Sequence, residues 1–170
     1  SDYRFTPVDA QTIRYGLGGI RGTGRSAIES IVAARNADGP FKSLFDFCRR
    51  VDKRLVNRRA MEAMVRAGAF DAIEAHRASL LASVGLAMEA AEQDERQASQ
   101  ESLFGDPSES RSAAFRLVES RPWDMKQRLV EEKTALGFTL SGHLFNAYAH
   151  DLQGFTATPL ARLAPAQGTV

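Results

Sequence analysis

Apolar and polar positions alternate at the start of the chain and then switch to a helical period. Tyr3, Phe5 and Val8 precede a turn at Asp9-Ala10-Gln11, and Ile13 and Tyr15 follow it. This spacing predicts a short β-hairpin over residues 3–16. Beyond Gly22 and Gly24, apolar residues at 27, 28, 31 and 32 predict a helix to about Arg35. The break Asn36-Ala37-Asp38-Gly39-Pro40 ends it. Ser43 and Asp46 have the spacing of a capping box, which starts a second helix running to about Val51.

A basic connection, Asp52-Lys53-Arg54-Leu55-Val56, leads to Asn57, a natural cap for a third helix. That helix carries Met61, Met64 and Val65 on one face and stops near Gly68. Residues 41–73 therefore repeat the layout of residues 13–36, an entry segment, a short turn and a helix, but without the paired glycines. A longer helix is predicted over residues 75–98, with Leu80, Leu81, Val84, Met88 and Ala91 on its apolar stripe and Gly85 weakening it. Residues 99–122 hold six serines, Gly105, Pro107 and Pro122, the composition of a flexible linker. Asp124 and Gln127 offer another capping box for a helix through Leu129, Val130 and Leu136 to Gly137. The β-prone Phe155, Thr156 and Thr158 suggest the first strand of a following domain.

The turn Ile20-Arg21-Gly22-Thr23-Gly24-Arg25-Ser26 carries the most chemical information. Glycine accepts positive φ and leaves no side chain in the way. A phosphate can thus reach the turn's N–H groups and the positive end of the following helix together. A glycine turn that merely joins two core helices would show the same residues. Arg58 and Arg59 stand in the first turn of their helix, where cations oppose the macrodipole by roughly 0.3–1 kcal/mol each. An anionic partner would remove that cost; the alternative is that both are simply solvated.

Charge sharpens this reading. The net charge of +1 over 170 residues hides a division. Residues 1–70 hold 13 Lys and Arg against 7 Asp and Glu, and residues 71–170 hold 9 against 14. The glycine turn lies in the basic half, where a polyanion-binding surface is wanted. The composition is that of a globular domain, with no apolar run of membrane-spanning length and no signal-peptide core. The single Cys48 sits among Leu44, Phe45, Phe47 and Val51, as a packing residue does. No nucleophile–base constellation and no metal-ligand spacing is present. His76 reads as a solvated or capping residue, and Glu131 and Glu132 are neighbours that point in different directions. Within the linker, Gln100-Glu101-Ser102-Leu103-Phe104 has two adjacent apolar anchors and an amide, as in a peptide that docks into a partner's pocket. Folding back onto the helical body is the alternative.

Taken in order, these segments resemble the C-family replicative polymerases, the alpha subunits of bacterial DNA polymerase III. The resemblance is carried by Ile13-Arg14-Tyr15-Gly16-Leu17-Gly18-Gly19-Ile20-Arg21-Gly22-Thr23-Gly24, by Phe41 with Leu44-Phe45-Asp46-Phe47-Cys48, and by Asn57-Arg58-Arg59. Ala67-Gly68-Ala69-Phe70-Asp71, Gln100–Phe104, Leu136-Gly137 and Ser141-Gly142-His143 complete it. Glu101 and Leu144 depart from the family's pattern, and His143 is read as structural.

The resemblance implies a mainly α fold: a tandem helix-hairpin-helix domain with a small N-terminal β-hairpin, then a linker and a further helix leading to a truncated OB-fold. The divisions it implies are a β-hairpin entry segment (1–16), the tandem DNA-binding domain (13–75), a helix (76–98), a linker with a clamp-binding motif (99–122), a helical segment (123–152) and the start of an OB-fold (153–170). DNA contacts are expected from Arg21, Gly22, Thr23, Gly24, Arg25, Lys53, Arg54, Asn57, Arg58 and Arg59. Clamp contacts are expected from Gln100, Ser102, Leu103 and Phe104. The implied partners are primer-template duplex DNA, the sliding clamp (beta subunit) and, through the parent chain, other polymerase III holoenzyme subunits in a bacterial cytoplasm. No membrane partner is implied. The catalytic carboxylates would lie upstream, so this fragment has no catalytic residue and no cofactor of its own, with Mg2+ expected for the parent DNA-directed DNA polymerase. A helix-hairpin-helix module of a DNA-repair protein and a helical protein-interaction module without DNA binding are the competing classes.

Overall fold

The structure, a computed structural model, describes residues 1–104, 115–148 and 151. It is mainly helical with one small sheet, as the pattern predicts. Strands β1 (Thr6–Pro7) and β2 (Ile13–Arg14) pair antiparallel, with Thr6 opposite Arg14 and Pro7 opposite Ile13. Asp9 makes the turn between them: its Oδ1 accepts the N–H groups of Gln11 and Thr12, each at 2.8 Å. A single 3-10 turn, Leu17–Gly19, stands where the first unit's leading helix would be.

Helix α1 (Arg25–Asp38) runs three residues beyond the expected Arg35 and stops where Gly39 takes φ +79° before Pro40. Helices α2 (Leu44–Arg50) and α3 (Arg58–Arg66) start at their predicted caps. Ser43 accepts the Asp46 N–H and Asn57 accepts the Ala60 N–H, which satisfies helix-end donors that would otherwise lack partners. Helix α5 (Met125–Leu136) is capped by Asp124, which accepts the Gln127 N–H, and ends at Gly137 in the left-handed region.

Helix α4 (Arg77–Phe104) differs from expectation at its far end. Residues 99–104, expected as the start of the linker, are helical instead, and Ser99 to Phe104 contain neither Gly nor Pro to stop the helix. Its start is as read: His76 Nδ1 accepts the Ser79 N–H at 3.1 Å. The fully buried stripe is Leu80, Val84, Ala87 and Ala91, with Leu81 and Met88 at its edge.

Residues 115–122, expected as part of the linker, also depart from expectation, since they lie along α4. Ser83 Oγ accepts the Val118 N–H at 2.8 Å while its hydroxyl donates to the Ser79 carbonyl. Ser79 Oγ accepts the Ser120 N–H at 3.2 Å. Phe115 stacks on Phe45, with ring centroids 5.9 Å apart. The segment stays docked because Phe115 and Leu117 pack against the core and two buried serines supply acceptors for its backbone. The truncated OB-fold expected over 153–170 lies outside the described residues.

One apolar cluster joins the two hairpin units. Ile20 and Ile31 meet Leu44, Phe47, Val56, Met61, Met64, Val65 and Phe70, and α4 and α5 add Leu80, Val84 and Leu136. Phe47 makes edge contacts with Phe41 and Phe70, at 4.8 and 4.9 Å. Cys48 is buried in this cluster with its Sγ 4.0 Å from Met61 Sδ, and burial pushes its thiol pKa up to about 12.

Candidate nucleic-acid interface

The first hairpin turn is built from its backbone outward. Gly22 takes φ +80°, which a side chain would strain, and a Cβ there would meet nothing within 4 Å. Thr23 ties the turn down: its hydroxyl donates to the carbonyls of Ile20 at 2.7 Å and Leu17 at 3.1 Å. Gly24 is the N-cap of α1, with an ordinary φ of −75°, and a Cβ there would touch only Ser26 Oγ, at 4.0 Å. The α1 N-terminus has no side-chain cap and no acidic residue in its first turn. Its leading N–H groups are therefore left for solvent or an anion.

Two arginines flank this opening. Arg25 is 66% exposed, pairs with Glu29 at 2.8 Å and lies over the Tyr3 ring. Arg21 has a second task. Its N–H donates to the Ala135 carbonyl at 2.8 Å, and its guanidinium lies 3.0 Å from where a Cβ of Gly137 would stand. A cation at the C-terminal end of α5 suits that helix dipole. The first turn is thus held by α5.

The second turn closes differently. Asp52 replaces the glycines: its carboxylate accepts the Arg54 N–H at 2.9 Å, and its carbonyl accepts the N–H groups of Leu55 and Val56. Asn57 is engaged as the α3 cap. Arg58 pairs with Glu62 and lies across α4 at Gly85, 3.2 Å from where a Cβ would stand. That glycine, read from sequence as a weakness in the helix, gives the guanidinium room. Lys53 donates to Glu95 of α4 at 2.7 Å. Arg54 and Arg59 are exposed, and Arg59 has no hydrogen bond or ion pair among the described residues. For Gln100, Ser102, Leu103 and Phe104 the backbone lies in α4, and their side chains fall outside the described residues.

Behind the second hairpin lies a buried ionic group that sequence reasoning missed. Arg77 donates to both Asp71 oxygens, at 2.7 and 2.6 Å, and to Glu132 at 3.0 Å. Glu132 is fully buried and also accepts the N–H groups of Leu140 and Ser141 and the Ser141 hydroxyl. Burial opposes both charges. The Ser141 and Leu140 donors and Arg77 nevertheless hold the Glu132 carboxyl below its ordinary pKa, and the two carboxylates hold Arg77 above its own. A signal was present, since Glu132 falls between Leu129 and Leu136 on the buried face of α5. Its neighbour Glu131 points elsewhere, to Arg66 at 2.9 Å. Among the described residues no group of three or more His, Cys, Asp and Glu is placed to hold a metal ion.

Residues 1–80, which contain both turns, match the helix-hairpin-helix motif family. Over nearly its whole length the chain is similar to alpha subunits of DNA polymerase III. DNA polymerase III subunit alpha of Neisseria meningitidis serogroup B is 50% identical over 165 residues, covering 97% of this chain and 14% of that protein. The chain is homologous to a segment of DNA polymerase III subunit alpha. The Xylella fastidiosa Temecula1 subunit is 42% identical over 87% of this chain and 13% of its own length. For Vibrio cholerae the figures are 39%, 96% and 14%. The chain thus spans about a seventh of these DNA polymerase III alpha subunits.

Proposed function

We propose that this chain is the part of a bacterial DNA-directed DNA polymerase that grips primer-template duplex DNA through its sugar-phosphate backbone, without reading bases. The α1 N-terminus carries this reading. It is uncapped, opens behind Gly22 and Gly24, and is flanked by exposed cations. Nothing inside the fold requires glycine at position 24, so the absence of a side chain there favours a close approach from outside. The second turn adds Lys53, Arg54, Arg58 and Arg59, while Thr23 and Asn57 serve by shaping the backbone.

Polymerase activity belongs to the parent chain in this proposal, together with its Mg2+, its holoenzyme partners and its cytoplasmic setting. Docking on the sliding clamp through Gln100, Ser102, Leu103 and Phe104 is the finer part of the proposal. It rests on the motif and on the homology of the chain to alpha subunits.

Fluorescence anisotropy with labelled duplexes of unrelated sequence tests the grip. Changing Arg21, Arg25, Arg58 and Arg59 together to Ala is expected to weaken binding equally on every duplex. The salt slope should fall by about 0.9 for each phosphate that is no longer engaged. Arg25 and Arg59 should account for most of the effect, because Arg21 and Arg58 also serve α5 and α4. Preference for one sequence, or an unchanged quadruple variant, overturns the proposal.

A further inference from the structure

A groove of about 790 Å3 separates the second hairpin from α4. Arg49, Lys53 and Arg54 line one side with Val51 and Asp52, and Glu92, Glu95 and Arg96 line the other; the Asp52 carboxylate is turned back to its own turn, where it accepts the Arg54 N–H. Across it Lys53 Nζ stands 2.7 Å from Glu95 Oε2. The lysine is only 20% exposed, with its stem lying against the protein, whereas the carboxylate is 72% exposed. Among residues 92–98 of α4 none is buried, so the carboxylate can swing away without disturbing the core. A carboxylate oxygen at hydrogen-bond distance from an ammonium is chemically what a phosphate oxygen would be in the same place.

We propose that Glu95 occupies the phosphate position on Lys53 in the free protein, so that duplex DNA engages the second hairpin only by displacing this carboxylate. Glu95 then sets the strength of the grip from outside either hairpin. The inference rests on the reading that the second hairpin binds phosphate. Because the pair is exposed on one side, its effect is modest and screened by salt.

The test uses the whole 170-residue chain, labelled duplex of mixed sequence and low salt. Glu95→Gln is expected to tighten binding roughly two- to fivefold, the range of an exposed ion pair. Glu89→Gln, which removes an equal charge from an exposed position on the same helix, should gain less. In a Lys53→Met background, which keeps most of the apolar stem, Glu95→Gln should lose most of its advantage over Glu89→Gln, leaving the part owed to Arg54, whose charge also acts on the carboxylate. Equal gains from Glu95→Gln with and without Lys53 would show a simple change of net charge and overturn the inference. So would unchanged or weaker binding by Glu95→Gln in a chain whose melting temperature is unaltered. In both cases the arginine quadruple variant would still report on the grip itself. Absence of duplex binding by the unaltered chain would overturn the grip and this inference together.

Discussion

At position 24 the fold would accept a side chain. The backbone angles are ordinary, and the space beyond the missing Cβ is open. At position 22 it would not, because φ is +80°. The turn needs glycine at 22, whereas at 24 only the proposed close approach of a phosphate does. Serine is a better N-cap than glycine in most helices. Gly24→Ser should leave the melting temperature unchanged or slightly raised while weakening duplex binding about tenfold or more, since the hydroxyl would occupy the N–H groups and crowd the opening. Thermal melts and anisotropy on the same preparation check this. A loss of stability without a loss of affinity would show Gly24 to be structural.

Among the helices, α5 links the most distant pieces. Its C-terminal end holds Arg21 of the first turn, and its buried Glu132 meets Arg77 at the start of α4 and the loop at 140–141. Removing one partner of such a buried group leaves the others uncompensated, so Glu132→Gln should cost about 3 kcal/mol. The carboxyl is held below its ordinary pKa in the folded chain. Its contribution is therefore fully present above the unfolded value of about 4.3 and is lost as pH falls through the lower folded value. Denaturant melts between neutral and acid pH should show the unaltered chain losing stability on the acid side. Glu132→Gln should start lower and fall less. Equal acid sensitivity in both would assign the effect to other carboxylates.

For the molecule as a whole, gripping DNA and docking on a clamp are proposed for separate parts of one chain. The proposed grip lies in the core-bearing hairpins, and the proposed docking segment follows Ala91, the last buried side chain among the described residues of α4. Changing Leu103 and Phe104 together to Ala should abolish clamp binding while leaving melting temperature and duplex affinity unchanged. An isolated segment should bind one clamp subunit only at micromolar strength or weaker, on the order of −8 kcal/mol. Surface plasmon resonance against immobilised clamp, beside a thermal melt, decides the matter. A fall of several degrees with clamp binding intact would make the pair part of the packed body.

Local chemistry alone was sufficient for the helix starts at Ser43, Asn57 and Asp124, the turn at Gly22 and the core faces of α3 and α4, because caps, positive φ and apolar period act within a few residues. The proposed contact residues could be named for the same reason, since Arg21 to Arg25 and Lys53 to Arg59 are each a short local stretch. What the sequence did not disclose depends on partners far along the chain. Arg21 meets Gly137, Arg58 lies over Gly85, Lys53 meets Glu95, and Ser79 and Ser83 anchor a segment that composition alone marks as a linker. Glu132 looks like a solvated helix acid until Arg77, Leu140 and Ser141 surround it. A charge or hydroxyl has no local period to betray its burial. Its cost and its compensation are both decided by groups that only the tertiary fold brings within hydrogen-bond distance.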